Sequence, residues 1–151
     1  MAASVQQWFP FSLEPAVEQV IWRVDFSWCL EDPVVAELPG SDLADELVII
    51  GGHLDSWDLG TGAIDDGAGV AITMEVLRRI KEAGLKPRRT IRLVLWGSEE
   101  VGLLGGYAYA DKHKDTLRNH VIGTESDFGA GRIWKITRNI NEQAKPCLLY
   151  T

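Results

Sequence analysis

Residues Leu47–Gly69 read LVIIGGHLDSWDLGTGAIDDGAG. The stretch opens as an apolar run, LVIIG, of the kind that forms a short strand buried on both faces of a sheet. Immediately beyond it come His53, Asp55, Asp58, Asp65 and Asp66, set among glycines and Trp57. Residues 67–83 then change period. Val70, Met74, Leu77 and Ile80 recur at helical spacing, and Glu75, Arg78, Arg79 and Glu82 take the opposite face. Asp65 and Asp66 precede the positive end of that predicted helix, Arg78 to Lys81 stand near its negative end, and Gly84 suits its closure.

Outward from this centre, VVAEL (34–38) reads as a short strand and PGSDLADE (39–46) as a turn and exposed connection. TIRLVLW (90–96) is the next strand. A glycine-weakened helix is expected over about 102–114, and HVIGTES (120–126) is a third strand. Strand, helix, strand, helix, strand is the pattern of parallel βαβ units, so the fold class is α/β. In such sheets ligands sit beyond the carboxyl ends of the strands. His53 and Asp55 follow one strand, Glu99 and Glu100 the next, and Asp127 the third. Three strand ends therefore offer acids to one rim.

The composition agrees with a site rich in carboxylates. The chain has 151 residues, 46% hydrophobic and 25% charged, with a net charge of −7. That is enough for one domain with a core, and too acidic for a phosphate reader, so no nucleic-acid partner is expected. Cys29 and Cys147 have no metal-type spacing and read as unpaired thiols. No segment approaches the ~20 apolar residues of a membrane span. The first twenty residues lack a basic n-region and are interrupted by Pro10, Glu14 and Pro15, so they do not read as a signal peptide.

A histidine and several carboxylates on one rim describe a metal site. Zinc takes imidazole nitrogen and carboxylate oxygen, and catalytic zinc leaves a position open for water. Paired metals need a bridging carboxylate, and hydrolysis needs one more carboxylate, off the metal, to take a proton from water. Each piece alone has an ordinary reading: a polar loop, a solvated helix start, a helix cap. The run GTGAID invites a nucleotide-binding reading, but Asp65 replaces the third glycine of that fingerprint and would repel a pyrophosphate. Trp57 suits either a cleft wall or ordinary packing, and His113 and His120 read as surface or strand-edge residues.

Taken together, GGHLDSWDLGTGAIDDGAG, WGSEEVGLLGG and ESD resemble the zinc-dependent exopeptidase family of aminopeptidases and glutamate carboxypeptidases. The resemblance covers about residues 33–128. It implies a three-layer sandwich with a mostly parallel mixed sheet flanked by helices, here truncated. It also implies two zinc ions per complete site. His53, Asp65 and Asp127 would hold one zinc, and Asp65 would bridge to a second bound by Glu100. Glu99 would be the general base, and Asp55 would orient the His53 imidazole, a common need of metal-bound histidine. A cis peptide between Asp65 and Asp66 is implied as well.

Family members are longer and supply one more histidine ligand well beyond Asp127, whereas no histidine follows His120 in this chain. The second zinc is therefore expected to lack its histidine, and the chain alone is expected to be inactive. The domain reading is a divergent N-terminal segment over 1–32, a partial zinc peptidase catalytic domain over 33–128, and a divergent tail over 129–151 whose ending, KPCLLYT, looks like translated adapter sequence. The resemblance implies hydrolysis of dipeptides or short peptides, a small peptide substrate, no membrane partner, and a homodimer as an option for the complete protein. It points to a secreted or lysosomal setting. An amidase-type deacylase or a glutaminyl cyclase on the same fold, or an inactive metal-binding fragment, are the alternative readings.

Overall fold

The LVIIG run lies inside the longest strand of a mixed sheet. The computed structural model describes residues 21–23, 33–127, 129, 131 and 132. The elements in chain order are β1 (Ile21–Arg23), β2 (Val34–Leu38), β3 (Leu43–His53), α1 (Gly67–Glu82), β4 (Arg89–Trp96), α2 (Leu104–Lys112), a 3-10 turn at Leu117–Asn119, and β5 (His120–Glu125). The sheet order is β1-β2-β4-β3-β5. β3 runs parallel to both β4 and β5, which is the expected βαβ centre, while β2 lies antiparallel to β4 and β1 antiparallel to β2. Apart from β1, the expected segments 1–32 and 129–151 lie almost wholly outside the described residues.

Burial alternates along the central strands, so each face of the sheet gains its own core. Ala36, Leu93 and Leu95 pack with Val70 and Leu77 of α1, joined by Ile50 and Met74. Leu47, Ile49 and Val94 pack on the other face with Tyr109 of α2. Leu93 and Val94 are both 0% exposed, so β4 is enclosed on both sides. Helices therefore cover opposite faces of one sheet, the three-layer arrangement of α/β folds.

One expectation needs correction. PGSDLADE is not connection throughout, because β3 already begins at Leu43 and pairs with Arg89, ahead of a register shift between Leu43 and Leu47. The polar residues hide the strand from an apolar pattern. What holds it is across the sheet: Arg88 pairs with Asp42 at 2.7 Å, Arg89 with Glu46 at 2.6 Å, and the Thr90 hydroxyl donates to the Ala44 carbonyl at 2.7 Å. α2 is also shorter than expected, starting after Leu103, whose backbone is left-handed (φ 60°). Among the described residues no helix is long and apolar enough to cross a membrane.

α1 begins and ends as its flanking residues dictate. The Asp66 carboxylate accepts the Gly69 amide at 3.1 Å as the N-cap. At the other end the Gly84 amide donates to the Lys81 carbonyl at 2.9 Å, with Gly84 at φ +65°, a conformation glycine adopts at no steric cost. This cap geometry fixes where Asp65, one residue before the N-cap, meets the end of β3.

Candidate metal centre

The parallel register makes three strand ends level. His53 pairs with Trp96 at the end of β4, and Gly51 pairs with Glu125 at the end of β5. Glu99 and Glu100 follow β4 by a short turn, and Asp127 follows β5. Asp65 enters from the loop before α1.

These residues meet around the His53 imidazole, which is 1% exposed. Its Nε2 lies 3.1 Å from Asp65 Oδ1 and 3.9 Å from both Asp127 Oδ1 and Glu99 Oε2. His53, Asp65 and Asp127 each present one ligand atom, all within 4.8 Å of one another. Zinc–donor bonds of about 2.0–2.2 Å in a tetrahedron put donors about 3.3 Å apart, so a small inward adjustment suffices. One imidazole nitrogen and two carboxylate oxygens are a donor set that zinc accepts. Glu100 lies outside this three-donor group. Among the described residues its Oε1 is buried without a hydrogen-bond partner, an arrangement that suits a cation and is costly without one.

The imidazole is held from its far side. Nδ1 faces the main-chain carbonyl of Asp55 at 3.0 Å and the Asp55 carboxylate at 3.6 Å. The same carboxylate accepts the amides of Glu99 at 2.9 Å and Glu100 at 3.0 Å. Asp55 thus touches the histidine mainly through its backbone and the paired glutamates through its side chain.

The electrostatics are those of crowded acids around one base. Burial opposes charge on His53, but the Asp55 carbonyl, the Asp65 carboxylate and the charges of Asp66 and Glu99 outweigh it and hold its pKa above the ordinary value. Burial raises Glu99, His53 opposes that rise, and Asp127, Glu100 and Asp55 reinforce it. Burial raises Glu100 too, with Asp65 the leading charge against its ionisation. Glu125 keeps much of its surface open to solvent, yet packing around its carboxyl, with Asp127 and Glu99 close by, pushes it up to about 7. A divalent cation would relieve this mutual repulsion.

Asp66, which the sequence places at the start of α1 and not among the metal ligands, is 1% exposed, and its Oδ2 accepts the His53 amide at 3.0 Å. An acid just before a helix is a capping signal, but its reach back to β3 is visible only in three dimensions. The Asp65–Asp66 peptide is cis, as the resemblance implies. Trp57 is 63% exposed beside the rim. His113 and His120 gather at the other end of the sheet, where His120 pairs with Leu47. There Arg92 donates to the Tyr109 hydroxyl at 2.7 Å, and that hydroxyl lies 2.9 Å from His120 Nε2.

Comparison with known proteins points the same way. The model of peptidase family M28 matches residues 33–139. Human carboxypeptidase Q is 50% identical over 95 residues, which are 63% of this chain and 20% of that protein. A crystal structure of a peptidase M28 precursor from Shewanella amazonensis is similar at 53% identity and a TM-score of 0.71, covering 77% of this chain and 26% of that one. A zinc aminopeptidase from Bacillus subtilis is similar at 26% identity and a TM-score of 0.58, covering 64% of this chain and 24% of that one. The chain thus spans about a fifth of the length of the curated relatives it matches.

Proposed function

The chain belongs to peptidase family M28, and from that premise we propose that it carries the metal-binding core of a zinc exopeptidase of the carboxypeptidase Q kind. The observation that carries the reading is the convergence of His53, Asp65 and Asp127, with ligand atoms within 4.8 Å of one another, at the carboxyl ends of parallel strands. These three residues would hold the first zinc, and Asp65 and Glu100 would contribute to holding a second. Bound zinc supplies a polarised water and a Lewis acid for the scissile carbonyl.

Glu99 is the general base. Its carboxylate lies beside the three donors without belonging to them, 3.9 Å from His53 Nε2. Its raised pKa suits a group that takes a proton from water and returns it to the leaving amine. Asp55 holds Glu99 and the His53 ring in one frame. Dipeptides or short peptides are the proposed substrates of the complete protein, and a secreted or lysosomal setting with a homodimeric assembly is proposed for it by the same resemblance. The domain reading, with 33–128 as the catalytic part, is proposed likewise.

Metal analysis of the purified chain, with a dipeptide hydrolysis assay in added zinc, tests the reading. One tightly bound zinc per chain is expected, lost on His53→Ala or Asp127→Asn. No turnover is expected from the chain alone, because the second zinc has only Asp65 and Glu100, one short of the usual three protein ligands. Failure to bind zinc would sink the metal-centre reading. Two tight zinc ions per chain, or turnover abolished by Glu99→Gln, would show that the second site is complete without a further histidine.

A further inference from the structure

The proposed metal donors come from separate elements, and a donor set by itself does not explain what holds their spacing. His53 ends β3, whereas Asp65 belongs to the loop that enters α1. Asp66 spans the gap between them with one carboxylate. Its Oδ2 accepts the main-chain amide of His53 at 3.0 Å, and its Oδ1 accepts the amide of Gly69 at 3.1 Å, in the first turn of α1. The side chain is 1% exposed, so both amides and both oxygens depend on each other for hydrogen bonds.

The surrounding sequence leaves room for this carboxylate and little else. A methyl group on Gly52 would stand 2.7 Å from Asp66 Oδ2, and one on Gly69 would stand 1.8 Å from the Ser126 carbonyl oxygen and 2.2 Å from Asp66 Oδ1. Two glycines from two elements thus open a slot that the carboxylate fills. Resting on the zinc reading above, we infer that Asp66 is a positioning residue: it ties the His53 backbone to the start of α1 and so presets the His53–Asp65 spacing before metal arrives. A helix cap alone would need only the bond to Gly69. The bond to His53 is the part that acts on the metal site.

Asp66→Ser separates the two roles. Serine is a good N-cap and keeps an acceptor for Gly69, but its shorter side chain falls away from the His53 amide. Zinc affinity, read by competition with a chromophoric chelator, is expected to fall roughly 10–100-fold, the usual effect of losing a group that orients a ligand. The metal-free melting temperature should fall much less than in Asp66→Ala, which loses both bonds. Equal zinc affinity in wild type and Asp66→Ser would leave Asp66 as a cap only and overturn the inference. Should the variants misfold, hydrogen exchange of the His53 amide in the metal-free wild type decides the matter. Protection there supports the tie, and exchange at the rate of an open loop overturns it. Absence of zinc binding by the wild type would instead count against the metal reading, while the exchange measurement still tests the tie.

Discussion

Asp55 and Glu99 are joined through a side chain and a main chain: Asp55 Oδ1 accepts the Glu99 amide at 2.9 Å, and Oδ2 takes the next amide, that of Glu100, at 3.0 Å. The loop after β3 and the turn after β4 are therefore one piece. Asp55→Ala should strand both amides and destabilise the metal-free chain by about 2 kcal/mol, the scale of hydrogen bonds to a charged group. Asp55→Asn keeps one acceptor and should lose roughly half as much. Urea denaturation of the three proteins measures this, and a loss below about 0.5 kcal/mol for the alanine variant would mean that water replaces the carboxylate freely.

The paired glutamates should separate by phenotype in a chain extended to the full catalytic domain. Glu99→Gln should retain zinc and lose roughly 10²-fold or more in turnover, as expected for a lost proton-transfer group. Glu100→Gln should lower zinc content, since its buried Oε1 meets no hydrogen-bond partner among the described residues. Metal content by mass spectrometry beside dipeptide hydrolysis reads both. Metal lost with the Glu99 change and kept with the Glu100 change would reverse the two roles.

At the opposite end of the sheet, Tyr109→Phe removes the hydroxyl that Arg92 donates to and that His120 meets. Tyr109 is 5% exposed, so the loss is not repaired readily by water. A destabilisation of about 1–3 kcal/mol is expected, with zinc affinity unchanged. A large change in zinc affinity would show that the two ends of the sheet communicate.

Acid should weaken α1 through Glu75. Hydrogen bonds from Arg78 and then Arg79 hold its pKa down at about 2. A carboxylate with a depressed folded-state pKa contributes stability that is present above its unfolded value and lost as pH falls toward the folded value. The urea midpoint of the wild type should therefore fall more steeply than that of Glu75→Gln between pH 4.5 and about 2. Because the pairs are exposed, 1 M salt should narrow the difference. Parallel pH profiles for the two proteins would show that the pairs do not contribute.

The sequence carried much of this architecture openly. LVIIG and TIRLVLW mark strands because continuous apolar runs have few other homes, and the period of Val70, Met74 and Leu77 marks α1 and its buried face. The rim was legible because strand ends and acids coincided in order. The beginning of β3 was not, since Leu43–Glu46 is held by Arg88, Arg89 and Thr90, residues more than forty positions away in sequence. Asp66 was not legible either. Its burial depends on the slot left by Gly52 and Gly69, and neither glycine announces a carboxylate between them. The Asp55 contacts to the Glu99 and Glu100 amides were hidden too, because a backbone amide leaves no mark on a sequence.

The position of β5 sets a schedule. β5 lies against β3, yet it is the last strand of the described sheet to be synthesised, and Asp127 follows it. At about 5–20 residues per second, Asp127 leaves the ribosome roughly 3–12 seconds after Asp65. Helices form in microseconds, and β4, a parallel neighbour of β3, is complete at Trp96, so β3 and α1 can be in place with two candidate donors before the third exists. On the zinc reading proposed above, ion capture would then be a late checkpoint: a nascent chain would hold the ion tightly only after β5 has found β3 in the correct register.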